Sequence, residues 1–228
     1  MKKNAKTYFI LAGLLFFLFV LFTVFVTRFD VKPIGPEQSM VGFATINQFV
    51  FDLIGVHSIW YDITDWLGVF AILVALGFAA VGLYQLLKRK SLRKVDREIS
   101  ILGTFYVLVI GFYLFFEQVV INYRPVILDN VLEPSYPSSH TILVVCIMAT
   151  AALQLHSFFP NKKKFCFGMD LVAAFLVTLT VIGRLMAGVH WFTDLVGGLL
   201  LSAALVALYC AVIEYIDPRS KDDVPFVV

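Results

Sequence analysis

Charged side chains are scarce in this sequence. Asp, Glu, Lys and Arg make up 15% of the 228 residues, against about 25% in an ordinary water-soluble domain. Hydrophobic residues reach 60% and the mean hydropathy is +0.88. One soluble core cannot hide that much apolar surface, because a domain of this size still needs a polar skin. A soluble enzyme and a disordered chain are thereby excluded. Cysteine is also sparse. Cys146, Cys166 and Cys210 lie in or beside apolar runs and show no CxxC spacing. That excludes a secreted disulfide scaffold and leaves the three thiols as small hydrophobes.

What the sequence does have is long apolar runs, with Phe alone contributing 23 residues. At roughly 20 residues per spanning helix, the runs predict six spans, at about 8–27, 66–87, 99–121, 139–159, 168–187 and 195–212. The first is longer than a signal peptide's apolar region and continues into Thr27-Arg28-Phe29-Asp30, so it reads as a retained anchor. The fold class expected is all-α, a single membrane domain built as a six-helix transmembrane bundle. In the connection after span one, apolar residues recur at helical spacing at Met40, Phe43, Ile46, Val50 and Leu53, with Gly55 following. This predicts an amphipathic interfacial helix between spans one and two. Two roles fit it: a cover over the bundle, or a path that admits lipid.

The few charges are sorted. Fourteen of the 18 basic residues fall on one side of these spans: Lys2, Lys3, Lys6, Lys88, Arg89, Lys90, Arg93, Lys94, Arg97, Lys162, Lys163, Lys164, Arg219 and Lys221. By the positive-inside rule that side is cytoplasmic, so both termini are expected inside. Trp60, Trp66 and Trp191 fall at the opposite ends, where interfacial aromatics belong. The Lys88–Arg97 run reads as a topology signal on anionic lipid, with no nucleic-acid role. His57 and His156 read as interfacial residues, and Asp170 as one that snorkels or pairs with Lys164.

The outer polar residues gather in three segments: Asn122-Tyr123-Arg124-Pro125, Pro137-Ser138-Ser139-His140, and Arg184 through His190 to Asp194. Ionisable residues at membrane level are costly and are functional candidates by default. Guanidinium forks match phosphate oxygens. Ser138 and Ser139 open span four, where a helix N-terminus aims free N–H groups at an anion; Ser138 equally suits an N-cap. His190 and Asp194 are four apart, so a carboxylate can fix one imidazole nitrogen and free the other to attack. His140 is then available as a general acid. Gly188 suggests a helix break that turns both Arg184 and His190 inward.

Arg-Pro, then Pro-Ser-x-His, then Arg-x5-His-x3-Asp, at consecutive outer helix ends, resembles the type 2 phosphatidic acid phosphatase superfamily, the lipid phosphate phosphatases, in its bacterial membrane branch. The resemblance covers about 117–194. It implies that His190 attacks phosphorus to form a phosphohistidine and that Asp194 orients it. It implies that His140 protonates the leaving group and later activates water. Arg124, Arg184, Ser138 and the Ser139 backbone would hold the phosphoryl oxygens. It also implies metal-independent chemistry without a cofactor, with two positive forks as the charge clamp. Tyr123 and Tyr136 flank the motifs, where they suit either a lipid entrance or an aromatic belt.

Three positions depart from the family pattern. Ser139 stands where Gly is usual, Gly183 where Ser is usual, and Glu117 where Lys is usual. Glu117 is the serious one, since an anion repels phosphate. Three readings are open there: a pair with Arg124, a contact to a cationic headgroup or proton that sets specificity, or a site that binds without turnover.

The expectation is a multi-pass cell-membrane enzyme with an extracytoplasmic site. It would hydrolyse a lipid phosphate or diphosphate in the bilayer, of undecaprenyl diphosphate, phosphatidylglycerol phosphate, phosphatidic acid or diacylglycerol diphosphate type. A phosphotransferase using the same site, and a non-catalytic lipid-phosphate binder or transporter, are the alternatives.

Overall fold

The computed structural model describes residues 3–128 and 130–216. Lys2, Arg219 and Lys221 lie outside them. The described residues form seven α-helices: α1 (Lys3–Arg28), α2 (Ala44–Ile54), α3 (Ser58–Arg89), α4 (Arg97–Gln118), α5 (Ser139–Phe158), α6 (Lys163–Met186) and α7 (Phe192–Ile216). All but α2 are long and apolar enough to cross a membrane. Helix is the form that such runs must take, because lipid offers no partner to an open backbone N–H or C=O. The chain is a multi-pass membrane protein.

The bundle has inner and outer helices. In α5 and α7 half of the most apolar window is buried, against 11–22% in the other four spans. α7 packs along α1, and α5 meets α3, α4, α6 and α7. The main core joins Phe19, Leu102, Phe105, Tyr136, Ile142 and Tyr209 with their neighbours. Polar cross-links pin the helices to one another, as is common where lipid supplies no hydrophobic drive. Gln154 donates to the Tyr209 hydroxyl at 2.8 Å, Tyr106 meets Thr150 at 3.2 Å, and Thr23 meets Tyr136 at 2.8 Å.

The helix ends differ from the apolar runs where function sits. α3 begins at Ser58, two turns before the apolar run at Trp66, because its first turns carry Asp62 and Asp65. α4 stops at Gln118, although Val119, Val120 and Ile121 remain apolar. The helix between spans one and two is α2. Its Ile46, Phe49 and Leu53 are exposed, while Ala44 and Asn47 are buried against the bundle. Asn47 accepts from the Thr193 N–H at 3.1 Å and donates to the Thr193 hydroxyl at 2.9 Å, tying α2 to the start of α7. At the far end of the bundle, His156 bonds Asp170 at 2.9 Å. Asp170 therefore pairs with His156 and not with Lys164, since the imidazole lies within hydrogen-bond reach on the adjacent helix.

Candidate active site

Six helix ends meet at one end of the bundle: the finishes of α1, α4 and α6 and the starts of α3, α5 and α7. α6 ends at Met186, and Gly188 follows with φ +69°. That conformation is open to glycine and strained for most residues. A Cβ there would also lie 2.7 Å from Val56 Cγ2. The break turns the chain so that Arg184, in the last turn of α6, and His190, in the loop before α7, both reach the site. Both are buried, at 1% and 2% exposure, as is Asp194 at 0%.

The wiring of His190 differs from the spacing argument. Its Nδ1 lies 3.0 Å from the Ser135 carbonyl oxygen and 3.7 Å from Asp194 Oδ2. The carbonyl can only accept, so Nδ1 carries the hydrogen and Nε2 the lone pair. Asp194 sits beyond hydrogen-bond distance of the ring because His190 lies outside α7, so the two do not share a helical face. The carboxylate holds the loop instead: Oδ2 accepts from the Trp191 N–H at 2.9 Å and Oδ1 from Asn122 Nδ2 at 3.3 Å. His190 Nε2 is buried with no partner among the described residues. Burial holds this imidazole well below the ordinary histidine range, and the Arg184 and Arg124 charges push the same way. His190 is thus a neutral, buried base with one free lone pair.

Arg184 is gripped from α3. Its Nη1 donates to Asp65 Oδ1 at 2.9 Å and to the Thr64 hydroxyl at 3.2 Å. Its Cζ lies 5.3 Å from the centre of the Tyr61 ring, within cation–π range. Its Nη2 donates to His140 Nδ1 at 2.7 Å, and Asp65 Oδ1 lies 3.2 Å from His140 Nε2. Gly183 permits this approach: a Cβ there would stand 2.5 Å from Thr64 Cγ2 and 3.0 Å from Trp60 Cε3. The glycine that departs from the expected serine is therefore where α3 and α6 touch.

The connection between α4 and α5 folds back on itself, with isolated bridges pairing Tyr123 with Pro134 and Leu128 with Val131. This register brings Asn122, Arg124, Glu133 and Ser135 together. Arg124 Nη2 pairs with Glu133 Oε2 at 2.9 Å. The Glu117–Arg124 pair is not formed, because α4 ends between them and the two no longer share a face; Glu117 is exposed and makes no salt bridge among the described residues. Arg124 Nε and Nη1 and Arg184 Nε are buried without a partner among the described residues.

Ser138 is the N-cap of α5. Its hydroxyl accepts from Thr141 N at 3.5 Å and Thr141 Oγ1 at 3.0 Å, leaving only its own hydrogen for an anion. Ser139 and His140 are the first two residues of α5. Tyr136 is 1% exposed, and its ring packs on Phe19 and Phe116, so it belongs to the core more than to an open entrance. It also forms the inner wall of a narrow groove, with about 10 Å³ of open space, lined by Tyr113, Phe116, Glu117, Pro134, Ser139 and Ile142. Tyr123 is half-buried and offers its carbonyl to the Trp191 indole at 2.8 Å.

Sequence reasoning missed Tyr61, Thr64, Asp65 and Glu133 as site residues and gave Asn122, within the first polar segment, no role. The first three had a signal. Tyr61, Thr64, Asp65 and Gly68 stand at i, i+3, i+4 and i+7, one helical face.

Known proteins resemble this chain in sequence and in fold. A curated relative, lipid phosphate phosphatase delta of Arabidopsis thaliana, is 30% identical over 95 residues, which is 39% of this chain. The matched stretch spans 22% of that relative's length. The crystal structure of a transmembrane PAP2 type phosphatidylglycerolphosphate phosphatase from Bacillus subtilis superposes with a TM-score of 0.61. That match covers 92% of this chain and 98% of the other at 18% identity, so it is a likeness of fold. The pattern of the PAP2 superfamily matches residues 93–217, more than half of the sequence, and the chain belongs to that superfamily.

Proposed function

We propose that this protein is a lipid phosphate phosphatase that works through a phosphohistidine on His190. The observation that carries this reading is a set of four buried nitrogens without partners: Arg124 Nε and Nη1, Arg184 Nε and His190 Nε2. Native proteins leave few buried polar groups unpaired, and each one costs about 1–3 kcal/mol. Three of these atoms are guanidinium donors and the fourth is a lone pair. A phosphoryl group satisfies both kinds, with oxygens for the donors and an electrophilic phosphorus for the base.

The reaction follows from those roles. The Nε2 lone pair of His190 attacks phosphorus and the bond from phosphorus to the leaving oxygen breaks. A proton from His140 goes to that oxygen. Water then attacks the phosphohistidine and gives its proton back to His140, and the bond to Nε2 breaks. Arg124, Arg184, the Ser138 hydroxyl hydrogen and the N–H of Ser139 hold the phosphoryl oxygens, which gather charge in both transition states. Asp194 fixes the loop that presents His190. No step needs a metal or a cofactor.

The exposed Glu117 stands at the rim of the narrow groove beside Tyr113, Phe116 and Ile142, where it would meet the headgroup. The basic residues at the opposite end of the bundle support a cytoplasmic location for that end, which makes the site extracytoplasmic. The substrate class is a lipid phosphate monoester or diphosphate held in the bilayer.

The test is phosphate release by purified protein from a panel of these lipids, beside His190→Ala. Release by the parent, none by the variant, and a labelled phosphoenzyme in the parent alone are expected. Full activity in His190→Ala would end the mechanism.

A further inference from the structure

The three segments that carry the family's chemistry do not account for the outer end of α3, which lies before the matched region. That end touches His140 and Arg184 at several points. Asp65 Oδ1 lies 2.9 Å from Arg184 Nη1 and 3.2 Å from His140 Nε2. Thr64 is buried beside it and accepts from Arg184. Gly68, one turn on, lets the ring approach: a Cβ there would stand 3.1 Å from His140 Cδ2 and 3.4 Å from Nε2. The face that holds the ring is thus shaped for it as well as charged for it.

The tautomer of His140 follows. Arg184 Nη2 lies 2.7 Å from Nδ1 and 3.3 Å from Nε2; a guanidinium only donates, so the shorter contact makes Nδ1 the acceptor. The ring hydrogen of neutral His140 is then on Nε2, the nitrogen 3.2 Å from a carboxylate oxygen that only accepts. We propose that Asp65 is a positioning residue for the acid–base half of the reaction, acting through His140. This rests on the phosphohistidine reading above. Asp65 holds the Nε2–H and thereby assigns Nδ1 to the leaving oxygen. When phosphoryl oxygens draw Arg184 Nη2 onto themselves, Nδ1 is released to take a proton. The imidazolium so formed stands beside a guanidinium, and Asp65 is the anion that offsets it. In the first step the Nδ1–H bond breaks and the proton goes to the leaving oxygen; in the second, Nδ1 takes the proton that the attacking water loses. The Asp65 side chain is 41% exposed, so the pair can exchange protons with water. Asp65 thus stands to His140 as the Ser135 carbonyl stands to His190, each fixing one ring nitrogen.

A residue that acts through a general acid matters most when the leaving group is poor. The probes are aryl phosphates carrying an alkyl tail and graded ring substituents, together with a lipid phosphate monoester. The readout is the rate of the first turnover, before dephosphorylation limits. Asp65→Asn should slow the lipid phosphate about 100-fold or more, the scale of lost acid catalysis. The loss should shrink steadily as the aryl leaving group improves, to within roughly threefold for the dinitrophenyl member. Thr64→Val, which removes one contact to Arg184 and leaves Asp65 in place, should weaken every substrate alike and serves as the contrast. If Asp65→Asn does not fold, Asp65→Glu keeps the charge, and its dependence on leaving group should fall between parent and Asn. Equal losses across the series would overturn the proposal and leave Asp65 as a strut for Arg184; no loss at all would also overturn it. Activity surviving in His190→Ala would instead show that the underlying mechanism is wrong, and would take this inference down with it.

Discussion

Serine at position 183 would restore the residue usual for the family pattern, and it should harm this protein. A Cβ on residue 183 would lie 2.5 Å from Thr64 Cγ2 and 3.0 Å from Trp60 Cε3. Carbon atoms rest at about 3.5–4.0 Å, so the shortfall is roughly 1 Å against a helix and not against a flexible tip. Overpacking of this kind costs about 1–3 kcal/mol. The damage falls on the site, because Thr64 Oγ1 and Asp65 Oδ1 both hold Arg184 Nη1. A misplacement of about 1 Å in such a clamp can cost about 100-fold in rate. Gly183→Ser should therefore lower both the thermal midpoint in detergent and the initial rate of phosphate release. Thr64→Ser removes Cγ2 and keeps the hydroxyl. In the double variant, Thr64→Ser with Gly183→Ser, stability and rate should recover in part, the Trp60 contact remaining. A single variant as stable and active as the parent would refute the packing argument, as would a double variant no better than the single.

Four further outcomes are expected. Asn122→Ala leaves the buried Asp194 Oδ1 without its 3.3 Å donor, so stability should drop by about 1–3 kcal/mol and the rate with it; an unchanged thermal midpoint would rule this out. Glu117→Lys reverses an exposed charge worth about 0.2–1 kcal/mol, so kcat/KM on a simple lipid phosphate should rise by up to about fivefold at low salt, and a dead variant would mean that Glu117 is essential. Unfolded His190 takes up a proton near its ordinary pKa of about 6.5, while the buried ring resists it. The folded state therefore loses stability as pH falls below that value, and thermal midpoints of His190→Asn between pH 7.5 and 5 should decline less steeply than the parent's. Chelation with EDTA should leave phosphate release intact, and strong inhibition would require a metal that the proposed mechanism does not use.

The fold was largely legible because lipid imposes one solution on an apolar run. The start of α5 at Ser139 stands where a serine pair precedes the run, and α6 breaks at the glycine that allows φ +69°. The site was legible where chemistry and helix ends coincide, as at Arg184, His190 and Asp194. Spacing misled where it assumed a continuous helix. Glu117 and Arg124 are seven apart, but α4 stops after Gln118, and the arginine turns to Glu133 through a loop register that no periodicity encodes. His190 and Asp194 are four apart, but the ring precedes α7, so a backbone carbonyl from another loop fixes its tautomer.

The outer end of α3 was hidden for a different reason. An apolar run marks where polar side chains begin, and a helix does not have to end there. Asp62 and Asp65 made the stretch before Trp66 look like a loop. In the folded chain they lie on different faces of α3: Asp62 and Trp66 are exposed, while Tyr61, Thr64, Asp65 and Gly68 turn toward Arg184 and His140. A span whose first turns carry a polar stripe at helical spacing is behaving as an amphipathic helix over that short length, with its polar face turned inward. The inward face needs such groups, because two buried guanidiniums at one site repel each other and must have anions near them. Glu133 serves Arg124 and Asp65 serves Arg184. In the proposed mechanism these two acidic residues are therefore what allows both arginines to be held there until a phosphoryl group competes for them.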